Sequence, residues 1–404
     1  MSPIKISWKS LWSKPLSSAL NMMLIAFGTG ILTILLLASN QISQKLDNNS
    51  KDIDLVVGAK GSPLQLILSS IYYIDFPTGN IPLKAAKELS RSPLVKRAVP
   101  LALGDNYNGT RIVGTDSNFV ALYQLKLENG KFWNTDFEAT IGAGVAQSQQ
   151  LKVGDTFYGA HGLSSSSDVH KSHPYTVSGV LESQGNVTDN LILTNIASVW
   201  KMHDDHEDDH HQHDNAEKQI ENDDHKELTS LLIQYRSPMS VAIFPRMVNE
   251  TTNMQAASPA QESTRLFSLI GVGVETLQWF AVLIMLIAAI SVFVNLYNSL
   301  KERKYDLAIM RTLGASRGKL FGIVIIEGII LTFAGTIIGV ALGHFALQFI
   351  GHYQESNQAR LTGMIFLQEE IYLFVAGLAI GIFAAIIPAI QAYRSNISKI
   401  LSKN

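Results

Sequence analysis

The chain has 404 residues, of which 47% are hydrophobic and 16% are charged, and its formal net charge is −2. It contains no cysteine, which excludes disulfides, thiolate metal sites and cysteine nucleophiles. Because no strong positive charge is present, the composition gives no reason to expect a nucleic-acid partner.

Four apolar stretches are long enough to cross a bilayer, which needs about 20 apolar residues. They predict transmembrane helices at 16–44, 266–300, 320–343 and 371–393. The first stretch could instead be the core of a cleavable signal peptide. Its uncharged run is long for such a core, however, and an odd number of spans would misplace the basic loops. The prediction is therefore an α-helical membrane protein with four spans in a 1+3 arrangement.

The charges predict the orientation of these spans. The first 15 residues carry Lys5, Lys9 and Lys14 without an acid, and the tail 394–404 is also basic. Segment 301–319 has six basic and two acidic residues, whereas segment 45–275 has 19 basic and 28 acidic residues. By the positive-inside rule, both termini and 301–319 lie in the cytoplasm, and the long segment and the short loop 344–370 lie outside.

The first 15 residues also have an amphipathic pattern. Ile4, Trp8, Leu11 and Trp12 recur at helical spacing with lysines on the other flank. Since Trp prefers the headgroup level of a bilayer, we expect a short cytoplasmic helix at the membrane interface.

The segment 45–265 predicts a mixed α/β domain, because short β-type runs alternate with turns and helical patterns. The predicted strands are 53–57, 95–103, 110–113, 175–181, 190–194, 231–235 and 241–244. Helices are predicted at 83–89, 196–202 and 249–264. The Gly- and Pro-rich stretch 56–82 predicts a tightly turned loop near the membrane.

An abrupt change of composition at 203–227 predicts a disordered insertion in this domain, since almost nothing there can be buried. Its histidines stand among many carboxylates, a ligand mixture that suits Zn²⁺. The candidate ligands are His203, His206, His210, His211, His213 and His225. A solvated acidic loop without a metal is the alternative.

The cytoplasmic segment 301–319 predicts a short amphipathic helix. Leu307, Met310 and Leu313 form a narrow apolar stripe, while Arg303, Asp306 and Arg311 point elsewhere. Gly314 is suited to end this helix in a left-handed conformation. A helix of this kind can press on a soluble partner, although an ordinary basic loop would satisfy the orientation rule equally well. Glu327, about two turns into the third span, is expected to reach water or a basic neighbour.

The run of Arg311, Thr312, Leu313, Gly314, Ala315 and Ser316 resembles the coupling segment of the FtsX-like permease domain. That domain occurs in the MacB, LolC/LolE and FtsX families of ABC transporters. The outer segment resembles the MacB-type periplasmic core. The matching runs are GTDSNF from Gly114, LENGKFW from Leu127, IGAGVA from Ile141, LKVGDTF from Leu151 and YTVSGVLES from Tyr175.

The resemblance implies a permease subunit of the bacterial inner membrane that works as a homodimer or as a paralogous heterodimer. It also implies a separate ATPase chain that docks on the coupling segment at Arg303, Asp306, Leu307, Met310, Arg311 and Leu313 to Ser316. The sequence itself has no G-x-x-x-x-G-K-[ST] phosphate loop, so ATP would be bound and hydrolysed by that partner, and this chain is not expected to be an enzyme.

Mechanotransmission is the implied mode of action, with an amphiphilic, peptide or lipoprotein-like cargo handled on the periplasmic side. Two other functions stay open. One is a signalling subunit that activates a periplasmic partner and transports nothing. The other is a zinc-linked transport or sensing system that uses the histidine-rich loop.

Overall fold

The computed structural model describes residues 3–161, 173–207, 226–353 and 361–394. The chain divides into two compact units. One, the helical unit, consists of 1–42, 270–355 and 359–404, and the other, the sheet domain, consists of 43–269 with 356–358.

The helices are α1 (Pro3–Trp12), α2 (Pro15–Asn49), α3 (Pro63–Ser70), α4 (Leu83–Ser90), α5 (Ser117–Tyr123), α6 (Ala143–Gln149), α7 (Ile196–Glu207), α8 (Ser240–Thr251), α9 (Pro259–Glu302), α10 (Lys304–Thr312), α11 (Arg317–Tyr353) and α12 (Glu370–Arg394). Within the described part of the chain, α2, α9, α11 and α12 are long and apolar enough to cross a membrane.

Close contacts through small residues hold the helical unit together, and α11 lies at their centre. Gly339 of α11 faces α2 so closely that a Cβ at this position would lie 2.6 Å from the carbonyl oxygen of Ala26. On the other side, a Cβ on Gly328 would lie 2.7 Å from the carbonyl oxygen of Gly381 in α12. Small residues let helix backbones approach in a bilayer, where the hydrophobic effect does not drive helices together.

The strands are β1 (Leu55–Ala59), β2 (Ile81–Pro82), β3 (Val95–Tyr107), β4 (Thr110–Thr115), β5 (Leu127–Gly130), β6 (Glu138–Ile141), β7 (Thr156–Phe157), β8 (Ala160–His161), β9 (Tyr175–Leu181), β10 (Ile192–Asn195), β11 (Glu227–Leu228), β12 (Ser230–Tyr235) and β13 (Met254–Ala257). Among the described residues, one mixed sheet has the order β13-β1-β12-β3-β4-β10-β6-β9-β5. β7 pairs with β9 and β8 with β3, while β2 and β11 form a separate pair.

The register brings four strand ends together at one end of this sheet. Leu55, at the start of β1, is opposite Ile233 near the end of β12, and Tyr235 is opposite Val95 at the start of β3. Val56 is opposite Ala257, the last residue of β13. We call this the helix-bearing end of the sheet, because α2 leads into it and α9 leads away from it.

Two of the predicted elements are wrong. The run 241–244 is part of helix α8, since Ser240, Phe244 and Val248, spaced four residues apart, are all buried on one face. The stretch 249–264 is not one helix, because β13 occupies its middle and pairs with β1. In both places tertiary packing overrides the local pattern.

Candidate functional site

A one-residue break, which we call the elbow, separates α9 from α10. Arg303 is the single residue between them and has φ −96° and ψ 13°, which interrupts the helical hydrogen bonding. The Arg303 guanidinium lies 3.1 Å from the Oε1 atom of Glu327 and also contacts the hydroxyl of Ser10. Glu327 is only 4% exposed, so the carboxylate of this span residue meets a cation instead of lipid. The elbow is therefore tied to both α11 and α1.

The N-terminal helix α1 packs against the same region, formed by the elbow and α11. The hydroxyl of Ser7 donates a hydrogen bond to the carbonyl oxygen of Ile323 at 3.0 Å, and Leu11 is buried among residues of the long helices. Lys14 forms an ion pair with Glu302 at the last residue of α9. These contacts, together with that of Ser10, connect the N-terminal segment to the elbow and to the long helices. Trp8 and Trp12 remain 56% and 66% exposed, as expected of side chains at a membrane interface.

The other end of α10 closes at Gly314, whose φ of +96° favours glycine. The Ala315 N–H donates to the carbonyl oxygen of Met310 at 3.0 Å, and the Gly314 N–H donates to that of Arg311 at 3.1 Å. This pair of bonds is a Schellman motif. The hydroxyl of Ser316 then accepts the Lys319 N–H at 3.3 Å at the start of α11.

The apolar residues of α10 divide between two faces. Leu307 is 8% exposed and packs with Leu300, Leu320 and Val324, and the half-buried Met310 packs on the same cluster. These two predicted coupling residues therefore hold α10 against the chain's own helices. Leu313, the third residue of the predicted stripe, is 82% exposed, because it lies at the end of the helix where the chain turns.

The sequence pattern missed the outward apolar face of α10. Tyr305 is 48% exposed and Ile309 is 39% exposed, and both lie on the side opposite Leu307. With Leu313 they recur every four residues, a spacing that could have identified them. We call Tyr305, Ile309 and Leu313 the outward face of α10.

The charged residues beside this face differ in exposure. Asp306, in the first turn of α10, is exposed, as an acid near a helix N-terminus can be at little cost. Arg311 is half-buried, and its Nε and Nη1 atoms have no hydrogen-bond partner among the described residues. The exposed Arg317 lies with its guanidinium 6.0 Å from the ring centroid of Tyr393 on α12.

The histidine cluster falls largely outside the described residues. His203 and His206 belong to α7, whose side chains are described only up to Met202. The candidates His210, His211, His213 and His225 lie outside the described residues. Among the residues that are described, no group of three or more His, Cys, Asp or Glu could hold a metal ion.

The stretch 56–82, predicted as a tightly turned loop, contains most of β1 and helix α3, and its apolar residues Leu66, Ile67 and Ile71 are buried in the core of the sheet domain. Its helix α3 begins after Ser62, and the following Tyr72 hydroxyl lies 3.2 Å from the carbonyl oxygen of Leu46 and 3.1 Å from the hydroxyl of Ser263. Tyr72 therefore joins the domain-side ends of α2 and α9. Further along, Phe76 is 55% exposed and its ring lies 5.9 Å from the guanidinium carbon of Arg111.

Comparison with known proteins identifies the family. Residues 18–245 match the model of the MacB-like periplasmic core domain, and residues 279–397 match the FtsX-like permease C-terminal model. A search of curated proteins found no match.

Two solved structures show a weaker likeness. The periplasmic region of MacB from Actinobacillus actinomycetemcomitans has 11% identity and a TM-score of 0.35, over 55% of this chain and 98% of that chain. The extracellular domain of the noncanonic ABC-type transporter YknZ from Gram-positive bacteria has 12% identity and a TM-score of 0.30, over 51% and 99%. Both TM-scores are too low to support an argument. The family models alone cover more than half of the chain, which confirms the resemblance in the sequence: the chain belongs to the MacB/FtsX-like family of ABC transporter permeases.

Proposed function

We propose that this chain is the membrane subunit of an ABC transporter in which a separate ATPase docks on the outward face of α10. The observation that carries the proposal is the exposure of Tyr305, Ile309 and Leu313 on a helix that the chain's own packing holds in place. Apolar side chains exposed beside charged ones are typical of a protein contact surface. The absence of a phosphate loop from the sequence fits an ATPase on another chain.

The proposed topology follows the charges. Spans at 16–44, 266–300, 320–343 and 371–393 cross the bacterial inner membrane with both termini in the cytoplasm. The 301–319 segment then faces the ATPase, and the sheet domain within 45–265 lies outside. The four long apolar helices support this reading by length and composition.

Mechanotransmission would use the elbow at Arg303. Since Arg303 contacts both Glu327 and Ser10, a push on α10 reaches α11 and α1 through an ion pair and a hydrogen bond instead of through a flexible loop. α11 in turn contacts α2 and α12 through closely packed backbones, which leave no space for one helix to shift without moving its neighbours. Closure of an ATPase would then move the span helices together and displace a cargo or a partner outside.

A second permease chain fits a groove between α2 and α9. The groove is lined by polar, charged and apolar residues, namely Lys14, Ser17, Leu20, Asn21, Ser291, Val294, Asn295, Asn298, Lys301 and Glu302. Polar side chains in a span are costly against lipid, and in known membrane proteins they face other protein. We therefore expect this surface to be covered by a second copy or a paralogue.

The cargo belongs to the amphiphilic, peptide or lipoprotein-like class in this proposal. The exposed Phe76 offers an apolar contact for such a cargo on the sheet domain, whereas the neighbouring Arg111 is buried. The same domain could instead activate a periplasmic partner without transport, or work with zinc through the histidine-rich loop. Three observations separate these functions. Transport of a labelled lipopeptide would support the first, binding of a periplasmic protein the second, and a requirement for zinc the third.

The experiment is co-purification of the detergent-solubilised chain with its candidate ATPase. A variant with Ile309→Asp and Leu313→Asp should lose the ATPase while keeping its elution volume, because both side chains are exposed. Ser13→Asp is the control, since it adds a charge at an exposed position that lies outside the coupling segment. Equal recovery of the ATPase with wild type and the double variant would refute docking on this face.

A further inference from the structure

A buried pair of titratable side chains lies where α11 leads into α12. His344 of α11 and Glu370, the first residue of α12, are 8% and 5% exposed. The His344 Nε2 atom lies 3.0 Å from the Glu370 Oε2 atom. The Nδ1 atom of the same ring lies 2.7 Å from the carbonyl oxygen of Gly363, in the loop between the two helices. Both nitrogens of one buried imidazole therefore face oxygen atoms at hydrogen-bond distance.

Hydrogen-bond chemistry fixes the number of protons in this arrangement. A carbonyl oxygen only accepts, so the Nδ1 atom must carry a hydrogen to bond Gly363. The contact between Nε2 and the Glu370 carboxyl group then needs a second proton, carried either by the imidazole or by the carboxylic acid. Without that proton, one nitrogen of His344 faces an oxygen atom as lone pair against lone pair, whichever tautomer the ring adopts. One of the two contacts must then open.

The loop that contains Gly363 is attached to α2 and α11 by polar groups. The Gly363 N–H and the Thr362 hydroxyl donate to the Gln348 Oε1 atom of α11 at 2.9 and 3.0 Å. The Gln41 side chain of α2 accepts the Thr362 N–H at 2.9 Å and donates to the Thr362 carbonyl oxygen at 2.7 Å. Gly363 also packs so closely on α11 that a Cβ there would collide with the carbonyl oxygen of His344. The contact with the His344 ring is therefore one of several that hold the same two loop residues.

Little apolar burial supports these polar contacts. The loop 361–369 contains no helix or strand, and its side chains Met364 and Phe366 are 75% and 78% exposed. The Phe366 ring lies beside the His344 ring, with 4.5 Å between their centroids. A segment that buries few apolar groups depends on its hydrogen bonds and opens locally at low cost when they are lost.

The other described titratable side chains near this site are placed differently. They are Lys45 and Asp47 on α2, His352 and Tyr353 on α11, Glu369 in the loop and Tyr372 on α12. Lys45 is half-buried one turn beyond Gln41, and the others are exposed. Exposed groups exchange protons with water without any change in the loop. His344 and Glu370 are therefore the pair whose proton the loop geometry requires.

We propose that His344 and Glu370 form a proton-binding site that closes the loop 361–369 onto the ends of α2 and α11, and that loss of the proton opens the loop. Because the closed loop holds one more proton than the open loop, the closed form is favoured at low pH and is lost as the pH rises. Gln41 lies on the helix that leads into the sheet domain, so opening removes a contact of that helix. In the proposed topology the loop faces the outside of the cell. The proton site itself depends neither on that topology nor on an ATPase partner.

The test uses the absence of cysteine from the chain, which allows a single spin label. Met364→Cys is labelled with a nitroxide, since this side chain is exposed and its replacement disturbs no core. Leu342→Cys, which is 54% exposed on α11 just before the pair, is the matched control for the label. Spectra of the full-length protein in detergent are recorded at about pH 5 and at about pH 8, the range in which histidine changes its charge.

The label at position 364 should be restricted at the lower pH and mobile at the higher pH, reversibly, whereas the label at position 342 should not change. Glu370→Gln should keep the loop closed at the higher pH, because an amide N–H donates to Nε2 without a bound proton. The amide oxygen also replaces the Glu370 Oε1 atom, which accepts the Leu367 N–H at 2.9 Å. Glu369→Gln makes the same chemical change at the adjacent exposed position and should leave the pH response as in wild type.

Equal mobility of the label at position 364 at both pH values would overturn the proposal. A Glu370→Gln variant that opens like wild type would also overturn it, since the proton would then be held elsewhere. His344→Leu, which nearly keeps the side-chain volume but holds no proton, should be mobile at both pH values. This variant keeps the proposal testable if Glu370→Gln fails to elute as wild type in gel filtration, and a wild-type pH response in it would be a further contradiction.

Discussion

The helical unit and the sheet domain are each stabilised internally by a different kind of contact. In the helical unit, the closest contacts are backbone against backbone at Gly328 and Gly339, and many large apolar side chains of α9 are exposed, among them Leu283, Leu286 and Ile290. In the sheet domain, the interior is filled by large side chains such as Phe119, Tyr73 and Tyr175. Helices in lipid gain from close approach, whereas a domain in water gains from burying apolar area.

This difference decides how an exposed apolar residue is interpreted. On α9 it needs no partner, because the bilayer is its solvent. On the sheet domain the same exposure at Met239 and Val241 stands out, because this domain buries its large apolar side chains. On α10 the outward face lies among charged residues, and in our proposal the ATPase covers it.

The largest expected effect comes from adding side-chain volume between α2 and α11. If the helical unit tolerated that volume, close backbone packing would not be what stabilises it. Gly339→Leu puts a side chain where even a Cβ would lie 2.6 Å from the Ala26 carbonyl oxygen. We expect the variant to lose stability by more than the ~1–3 kcal/mol typical of overpacking, because backbone and not side chain must move. Gly322→Leu on the same helix is the control, since a Cβ there meets nothing within 4 Å. Thermal unfolding in detergent, followed by gel filtration, measures both.

The sheet domain should instead be sensitive to lost volume. Phe119 is fully buried, and its ring centroid lies 4.7 Å from that of Tyr123. Phe119→Ala should lower the free energy of unfolding by about 3–5 kcal/mol. The same change at Phe76, which is 55% exposed, should cost less than about 1 kcal/mol. Similar costs at the two positions would contradict the assigned core.

The elbow differs from the rest of the helical unit, because there an ion pair between Arg303 and Glu327 contributes to the packing. Arg303→Met leaves the buried Glu327 carboxylate without its cation and should cost about 2 kcal/mol or more, discounted for the partial exposure of Arg303. Adding Glu327→Leu should recover much of that loss. A double variant whose destabilisation equals the sum of the two single variants would show that the pair is not coupled.

The smallest expected effect is a dependence of the stability of the sheet domain on pH. Hydrogen bonds from Lys131 and from the N–H groups of Asn134 and Thr135 lower the pKa of Glu138 from 4.5 to about 2. Because the pKa is lower in the folded state, this stabilisation is present above pH 4.5 and is lost as the pH falls toward 2. Unfolding midpoints measured across that range should fall more steeply for wild type than for Glu138→Gln. Parallel curves would mean that the Glu138 contacts do not persist in solution.

The sequence predicted the elements that depend on local pattern. The apolar stretches correspond to α2, α9, α11 and α12, and Gly314 ends α10 with positive φ, as a glycine after an amphipathic stripe indicates. The strand order was out of reach, because β1 pairs with β12 and β13 across more than 170 residues. Local pattern also assigned 241–244 to a strand, since β-branched residues there hide a helical spacing.

The location of the candidate site stays a prediction, and the packing of α10 differs in part from the one that the sequence suggested. The stripe of Leu307, Met310 and Leu313 treated the helix as isolated, whereas the packing of α10 under the long helices turns Leu307 inward. The cation that meets Glu327 is 24 positions away in the sequence, and the Ser10 contact spans 293 positions. Such pairs arise from tertiary folding, which no local pattern contains.

The most direct test of the whole account is the accessibility of single cysteines in intact cells. Gln147→Cys on α6 and Ser316→Cys before α11 are both exposed in the structure. A membrane-impermeant thiol reagent should label Gln147→Cys in intact cells and Ser316→Cys only after the cells are permeabilised. Labelling of Ser316→Cys from outside would place the coupling segment on the wrong side of the membrane, and protection of Gln147→Cys until permeabilisation would do the same for the sheet domain; either result would contradict the account.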